Sequence, residues 1–384
     1  MFTKMRNRVA VLGLLGAASL LAQDAPLSNS AVKIDLPNDA PVSLQGFTTG
    51  PSRTTARGAA LVLDLQLLLT LKNTSANRIH GVRLRVVSQE VAVGGAATVF
   101  QPSLNVGPGE AFPVHIDAQL WHPAQLAGGP LVQVYLDGVL FQDLSFYGPD
   151  KLQSRRIMTA NEMEAQRDRE YSKRLCAQQG LPALKAAMVR ILARQDAAPQ
   201  LQGRVSHGRT VTNAGMAAAA PERQAAFAFL RFPDSPVDPV LGSAMVAGGE
   251  VRAPSIVVRS RTNQPVKHVE LGWVLTDAAG RDYLAGLLPS SDTGFSLPAS
   301  GSATVSQDST LSFSAGNQAV SIQKITGFVN QVEFADGKVW VPTRKDLENP
   351  LLVKVLAPSV EEERLANLYL RKGPQAVAEE LKKF

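Results

Sequence analysis

The stretch that organises the chain reads TANEMEAQRDREYSKRLCAQQGLPALKAAMVRILARQ (residues 159–195), and it is the only long run with helical periodicity. Thr159 and Glu162 have the spacing of a reciprocal cap, so we expect a helix to begin there. Gly180 can adopt the left-handed conformation that ends a helix, and Pro182 suits the first turn of the next helix. The stretch therefore predicts a helical hairpin.

The two predicted helices have different surfaces. In the first, opposite charges recur three or four residues apart, as in Glu164 with Arg167, which predicts a helix that is mostly solvated. In the second, apolar residues at i, i+3, i+4, i+7 and i+8 form a continuous face. They are Leu184, Ala187, Met188, Ile191 and Leu192. We expect this face to pack on a flanking β domain, so that the hairpin is a rigid spacer; a partner-binding helix is the alternative.

The hairpin separates two β-rich halves. Residues 59–73, AALVLDLQLLLTLKN, alternate apolar and polar side chains, which is typical of a strand with one buried face. Further short strands follow, and Asp137-Gly138 predicts the turn of a hairpin. The second half repeats the order of strands: Leu84 corresponds to Leu271, and further along Phe141 corresponds to Trp340. An internal duplication explains this repetition; a shared strand pattern without common ancestry is the alternative.

Each half resembles the immunoglobulin or fibronectin type III architecture, because it has about 100 residues of short alternating strands with turn signals. The predicted fold class is mainly β, with two immunoglobulin- or fibronectin-III-like antiparallel β-sandwiches joined by an α-helical hairpin and followed by a short helical C-terminal tail. The resemblance is to an architecture that hosts many functions, so it implies no activity. The predicted boundaries are a signal peptide at 1–22, the first sandwich at 28–150, the hairpin at 151–198, a linker with a possible first strand of the second domain at 199–247, the second sandwich at 248–345 and C-terminal helices at 346–384.

The first residues predict export. Lys4, Arg6 and Arg8 precede the apolar run 9–21, which is too short to span a bilayer and has the length of a secretory signal's hydrophobic region. The predicted location is therefore the periplasm or the exterior, after cleavage of the signal. No other run is long and apolar enough to predict a membrane span. Cys176 is the only cysteine, so no intramolecular disulfide can form.

Charge and motifs narrow the function classes. The formal net charge is +6, three of these positive charges belong to the signal, and the rest are dispersed among carboxylates, which argues against a nucleic-acid partner. The sequence has no nucleophile elbow, phosphate-binding glycine loop or zinc-type cysteine pairs, so we assign no catalytic residue and no cofactor.

The segment HIDAQLWH (residues 115–122) is the one cluster with ligand-like content. His115 and Asp117 share a strand face, and His122 would reach back after a turn to complete a metal site. An exposed strand face with a loop histidine is the alternative. Trp121 and His122 are the surface candidates for binding, whereas Trp273 and Trp340 are expected in the core.

Three functions remain. The leading hypothesis is an exported, non-enzymatic binding or scaffolding protein of the cell envelope that presents two β-sandwiches to a protein or polysaccharide partner. The second is an exported metal-dependent hydrolase that uses His115, Asp117 and His122. The third is a structural module of an envelope assembly that docks through its helices. The sequence does not determine the oligomeric state.

Overall fold

The chain is mainly β, with four mostly antiparallel sheets and four helices in the part that the structure describes. This computed structural model describes residues 24–90, 93–123, 129–197, 201–206, 221–289, 294–316 and 318–384. The predicted signal peptide at 1–22 lies outside these ranges. Among the helices within them, none combines the length and the apolar character that crossing a membrane requires.

Two five-stranded sheets with a common core make up the N-terminal half. Its strands are β1 (Asp24–Pro26), β2 (Val32–Asp35), β3 (Val42–Thr48), β4 (Arg53–Arg57), β5 (Ala60–Asn73), β6 (Ile79–Val87), β7 (Ala96–Gln101), β8 (Ala111–Pro123), β9 (Val132–Phe141) and β10 (Phe146–Tyr147). The first sheet contains β1, β4, β5, β3 and β8, and the second contains β10, β9, β6, β7 and β2. The alternate leucines of β5 form one buried cluster with side chains of β6, β8 and β9, as the alternation predicts.

The C-terminal half also has two sheets around one core. Its strands are β11 (Gln202–Ser206), β12 (Arg223–Ala226), β13 (Ala228–Phe229), β14 (Val237–Ala247), β15 (Glu250–Ser260), β16 (Val266–Asp277), β17 (Asp282–Pro289), β18 (Ser302–Ser306), β19 (Thr310–Ala315), β20 (Gln318–Ala319), β21 (Ile322–Phe334) and β22 (Val339–Trp340). The third sheet contains β11, β19, β15, β14, β12, β18 and β20, and the fourth contains β13, β21, β16, β17 and β22.

The two halves share one pairing scheme. The parallel pair β2 and β9 has its counterpart in β13 and β21, and the antiparallel pair β6 and β9 has its counterpart in β16 and β21. The register corrects one predicted correspondence. Ile79 pairs with Phe141, and Val266 pairs with Phe334. Phe141 is therefore equivalent to Phe334 and not to Trp340.

Asp137-Gly138 is not a hairpin turn, contrary to the prediction. Strand β9 continues through both residues, and the Asp137 carboxylate accepts hydrogen bonds from the Lys151 and Leu152 amides at 3.1 and 3.2 Å. A Cβ on Gly138 would lie 2.4 Å from the Phe146 ring, so glycine is needed there for close packing. The Asp-Gly dipeptide is compatible with a turn and also with a strand on which another side chain packs closely. Here the packing of Phe146 against Gly138 accounts for the glycine.

The predicted linker at 199–247 contains strands of the second β unit. Strands β12, β13 and β14 lie in this range, and β14 pairs with β15. Strand β13 pairs in parallel with β21, as β2 pairs with β9 in the first half. The second β unit therefore begins before residue 248.

The helices are α1 (Ser154–Ala197), α2 (Arg344–Leu347), α3 (Pro350–Val355) and α4 (Val360–Leu381). Helix α1 begins before Thr159, so Thr159 is a buried interior residue and not the predicted cap. Gly180 interrupts α1 with φ 76°, where the sequence predicted a break. A capping box of Ser359 and Glu362 begins α4, and Gly373 interrupts α4 with φ 79°.

The apolar face of α1 after Gly180 packs on α4, and not on a β domain as predicted. Both helices contribute to one buried cluster. Its members are Leu184, Ala187, Met188, Ile191, Leu365, Ala366, Val377 and Leu381. Neither segment can bury its apolar face alone, so two segments distant in sequence cover each other.

The helices form a layer between the two β units. Met158 and Glu162 of α1 contact the second sheet at Gly81 and His80. Helix α1 also packs on β22, and α3 covers the fourth sheet through Leu352 and Val355. The outer faces of the first and third sheets point away from this layer, and both sheets carry exposed hydrophobic side chains. These are Leu68 and Trp121 in the first sheet and Val205, Val240, Leu241 and Met245 in the third.

Candidate functional site

The three predicted metal ligands do not come together. Strand β8 continues through His122, so His115 and Asp117 are exposed on one face while His122 is buried on the other. His122 Nδ1 lies 2.9 Å from Ser88 Oγ. The described residues contain no group of three or more histidine, cysteine or acidic side chains that could hold a metal ion. The expected turn before His122, which the metal hypothesis required, is absent from β8.

Trp121 lies on the outer face of the first sheet, as predicted. Its side chain is 39% exposed, and a Cβ on Gly94 would lie 2.8 Å from its Cδ1, so one edge of the indole rests against that turn. Trp273 is buried in the second core and Trp340 is partly buried, which confirms the prediction for both. Trp121 is therefore the tryptophan with an accessible ring face. His122, its predicted partner in binding, is buried.

A buried ionic cluster joins α1, α4 and the second sheet. The Arg169 guanidinium donates to Glu162 Oε1 at 2.5 Å and lies 3.6 Å from Glu361 Oε1. The same Glu162 oxygen is 2.9 Å from His80 Nδ1, on β6. The Phe384 ring lies under Arg169, with 4.2 Å from Cζ to the ring centroid. Arg169, Glu162 and Glu361 are each 3% exposed or less, so each charge depends on its partners.

A second group of charges extends the cluster towards α2. The Arg344 guanidinium donates to Glu362 Oε1 at 2.6 Å and lies 3.5 Å from Asp168. Asp168 also accepts a hydrogen bond from Ser359 Oγ at 2.7 Å, and Arg194 donates to Glu362 at 2.6 Å. The residue types are those of a solvated helix, yet Asp168 is 1% exposed. These contacts hold the start of α4 to both segments of α1.

Besides its contacts with the second sheet, α1 contacts the fourth sheet. Arg156 donates to Gln331 at 3.3 Å and lies 3.9 and 4.0 Å from the carboxylates of Glu270 and Glu333. His268, on the same sheet, is 3% exposed. Burial, together with the positive charges of Arg156 and Lys267, lowers the pKa of His268 to about 3. The helical layer is thus tied to both β units through buried polar contacts.

Glu164 lines a groove of about 600 Å³ between the helices and the fourth sheet. Burial raises the pKa of its carboxyl to about 7; Arg167 opposes this shift, and the negative charges of Asp168 and Glu270 add to it. The ionised form of Glu164 is therefore destabilised in the folded protein. A perturbed carboxyl in a groove is a feature of functional sites and of structural ion networks alike.

We expect Glu164→Gln to raise the free energy of unfolding at pH 8 by roughly 1–3 kcal/mol, since each pKa unit is worth about 1.36 kcal/mol and partial exposure reduces the effect. The carboxyl is neutral in both states at low pH, so the gain should vanish near pH 4. Urea unfolding at both pH values measures it. Glu170→Gln, at an exposed position of the same helix, should show no such difference. An equal effect at both pH values would contradict the assignment.

A separate cavity of about 300 Å³ lies within the second β unit, between the third and fourth sheets. Most of its lining is apolar. The lining residues are Gly203, Arg204, Val205, Phe227, Val251, Pro254, Trp273, Leu275, Ala285, Gly286, Gln307, Leu311, Phe313 and Ile325. Two of these carry buried polar atoms, Trp273 Nε1 and Gln307 Oε1, that have no protein hydrogen-bond partner. An apolar cavity with a few polar atoms is the usual form of a small-molecule site.

Sequence reasoning missed both the ionic cluster and the cavity. The charges of α1 have the spacing of exposed ion pairs, and that spacing is the same whether the helix is solvated or covered. The cavity depends on which residues oppose Trp273 on the neighbouring strands. One signal for the ionic cluster was present in the sequence: a second charged helix, α4, lies far along the chain from α1, so the charges of the two helices could pair.

Comparison with known proteins assigns no family: no protein-family model matches the chain, and no curated protein shows significant similarity to it.

Proposed function

We propose that this chain is an exported, non-enzymatic scaffolding or binding protein of the cell envelope. In this proposal two β-sandwich units, joined by a helical hairpin, are held at a fixed relative orientation and present their outer sheets to a protein or polysaccharide partner. The observation that carries the proposal is the helical layer, which is tied to one β unit through Glu162 and His80 and to the other through Arg156. A hinge between β units would need few buried contacts.

The outer faces supply the contact surface. The first sheet places exposed Trp121 in the same row as His115, Asp117 and Gln119, since side chains two residues apart share a face. An aromatic ring beside acidic and amide side chains suits stacking on a sugar ring with hydrogen bonds to its hydroxyl groups, and it suits a polar protein surface equally. Export rests on the predicted signal sequence at 1–22.

The test is capture of partners by the mature protein from the envelope fraction of the source organism, alongside co-sedimentation with purified envelope polysaccharide. We expect Trp121→Ala to reduce retention of the partner about tenfold or more, because a tryptophan anchor typically costs 2 kcal/mol or more when truncated. Leu370→Ser is the matched control, since Leu370 is 63% exposed on α4 and away from both outer sheets.

Two outcomes would contradict the proposal. A partner that is lost with Leu370→Ser and retained with Trp121→Ala would identify the helices as the docking surface. Binding that is insensitive to Trp121 and to Met245→Ser, on the third sheet, would exclude the outer faces. Thermal unfolding of each variant verifies that the loss of binding is not a loss of folding.

A further inference from the structure

The cavity in the second β unit has a specific origin in strand register. Trp273 on β16 pairs with Gly286 on β17 and with Gly327 on β21, so both cross-strand neighbours lack a side chain. The register shifts between Trp273 and Val274, which makes a β-bulge at Ala285. Bulges are frequent beside binding sites because they redirect side chains. In the first half Val86, which is fully buried, occupies the position of Trp273.

Contacts on two sides fix the position of the Trp273 indole. A Cβ on Gly327 would lie 2.7 Å from Cζ3 and 3.0 Å from Cη2 of Trp273, so the six-membered ring lies against β21. Trp273, Ala285 and Gly286 all line the cavity. Phe227 holds the indole from another side, with the ring centroids 5.1 Å apart.

Two lining residues have buried side-chain polar atoms without a protein partner, one a donor and one an acceptor. Trp273 Nε1 can only donate, and the Gln307 carbonyl oxygen can only accept; each is buried without a protein partner. Leaving such an atom unpaired is unfavourable, so a ligand that satisfies both is favoured. A hydroxyl group does so, because it accepts one hydrogen bond and donates another.

The residues that line the cavity do not favour an anionic ligand. Arg204 is the charged residue among those that line the cavity, and it is exposed. A carboxylate placed beside Trp273 would lose its hydration without gaining a buried cation, which is costly. The volume of about 300 Å³ is about twice that of an engineered cavity of ~150 Å³ that binds benzene. Two fused rings are therefore the appropriate size.

We propose that this cavity binds a small, neutral, apolar molecule that carries a hydroxyl group, with the hydroxyl between the Trp273 N–H and the Gln307 carbonyl. The proposal is independent of the partner-binding function of the outer sheets.

Equilibrium dialysis of the full chain against 2-naphthol, naphthalene and 2-naphthoate tests it. We expect saturable binding of one 2-naphthol per chain, with naphthalene and 2-naphthoate weaker by about fivefold or more, as the loss of buried hydrogen bonds or the burial of a charge requires. Trp273→Phe and Gln307→Leu should each reduce the preference for 2-naphthol over naphthalene, whereas Ala285→Leu, which fills the cavity, should weaken both. Leu370→Ser, at an exposed position of α4, is the control and should change neither.

Several outcomes would overturn the proposal. These are the absence of saturable 2-naphthol binding, tighter binding of 2-naphthoate, and binding that Ala285→Leu leaves unchanged. An equal affinity for naphthalene would refute the hydroxyl site. Thermal unfolding tests the folding of each variant, and if Trp273→Phe fails to fold, Gln307→Leu gives an independent measure of the same preference.

Discussion

Replacing Arg169 with methionine is expected to lower the free energy of unfolding by about 3–5 kcal/mol, because the buried Glu162 carboxylate loses its arginine, whereas Glu361 keeps its pair with Arg364 at 2.8 Å. Arg169 donates to Glu162 at 2.5 Å and lies 3.6 Å from Glu361, and all three side chains are 3% exposed or less. Methionine retains the length of the side chain and much of its contact with Phe384, so the loss reports mainly on charge. Urea unfolding at pH 7 measures it.

Arg174→Met is the matched control for this prediction. Arg174 is exposed on the same helix, so its replacement should change stability by about 0.5 kcal/mol or less. Adding Glu162→Gln to Arg169→Met should recover part of the loss, since it removes a buried charge that has lost its arginine. A loss below about 1 kcal/mol for Arg169→Met would mean that water enters the cluster and solvates the carboxylates.

The β-strands were predictable where a sequence pattern is compatible with a single local structure. Alternation over residues 59–73 predicted β5, and its leucines are buried as expected. Asp137-Gly138 was ambiguous, because the same dipeptide serves a turn or a close contact, and here Phe146 packs against Gly138. The register that identifies Phe334 as the equivalent of Phe141 depends on pairing between distant strands. Local sequence carries no information on that pairing.

The helices were predictable in position and not in environment. Gly180 interrupts α1 where the sequence predicted a break, and Gly373 interrupts α4 in the same way, since both take a positive φ that favours glycine. The surroundings of Glu162 were not predictable, because its partners His80 and Arg169 come from a strand of the first half and from the next two turns of α1. A carboxylate at a capping spacing can equally belong to a buried ionic cluster.

The candidate sites also divide into features that local sequence predicts and features that depend on distant strands. Strand parity correctly placed Trp273 inside. Parity also separates His115 from His122, and the metal hypothesis required a turn that the uninterrupted strand β8 does not contain. The cavity needs the coincidence of Trp273 with Gly286 and Gly327 across two strand pairs. Only a known register reveals it.

His268→Leu is expected to make the protein about 2 kcal/mol less sensitive to acidification from pH 7.5 to pH 5. Burial and the cations Arg156 and Lys267 lower the pKa of His268 from 6.5 to about 3, so the folded protein excludes a proton that the unfolded chain binds. Wild-type stability that is fully present above pH 6.5 is therefore lost as the pH falls towards 3. Urea unfolding of both proteins at pH 7.5 and pH 5 measures the difference.

The comparison isolates His268 from the other buried groups. Ionisation of Glu164 gives the opposite dependence, since its raised pKa makes stability fall as pH rises, but this contribution is common to wild type and variant and cancels. His115→Leu is the control, because that imidazole is exposed on β8. If His268→Leu and wild type lost equal stability on acidification, His268 would be protonated in the folded protein. Water would then have to enter between β16 and β21, where His268 pairs with Glu333. In that case the junction between α1 and the fourth sheet would be hydrated, and the β units would not be held rigidly together.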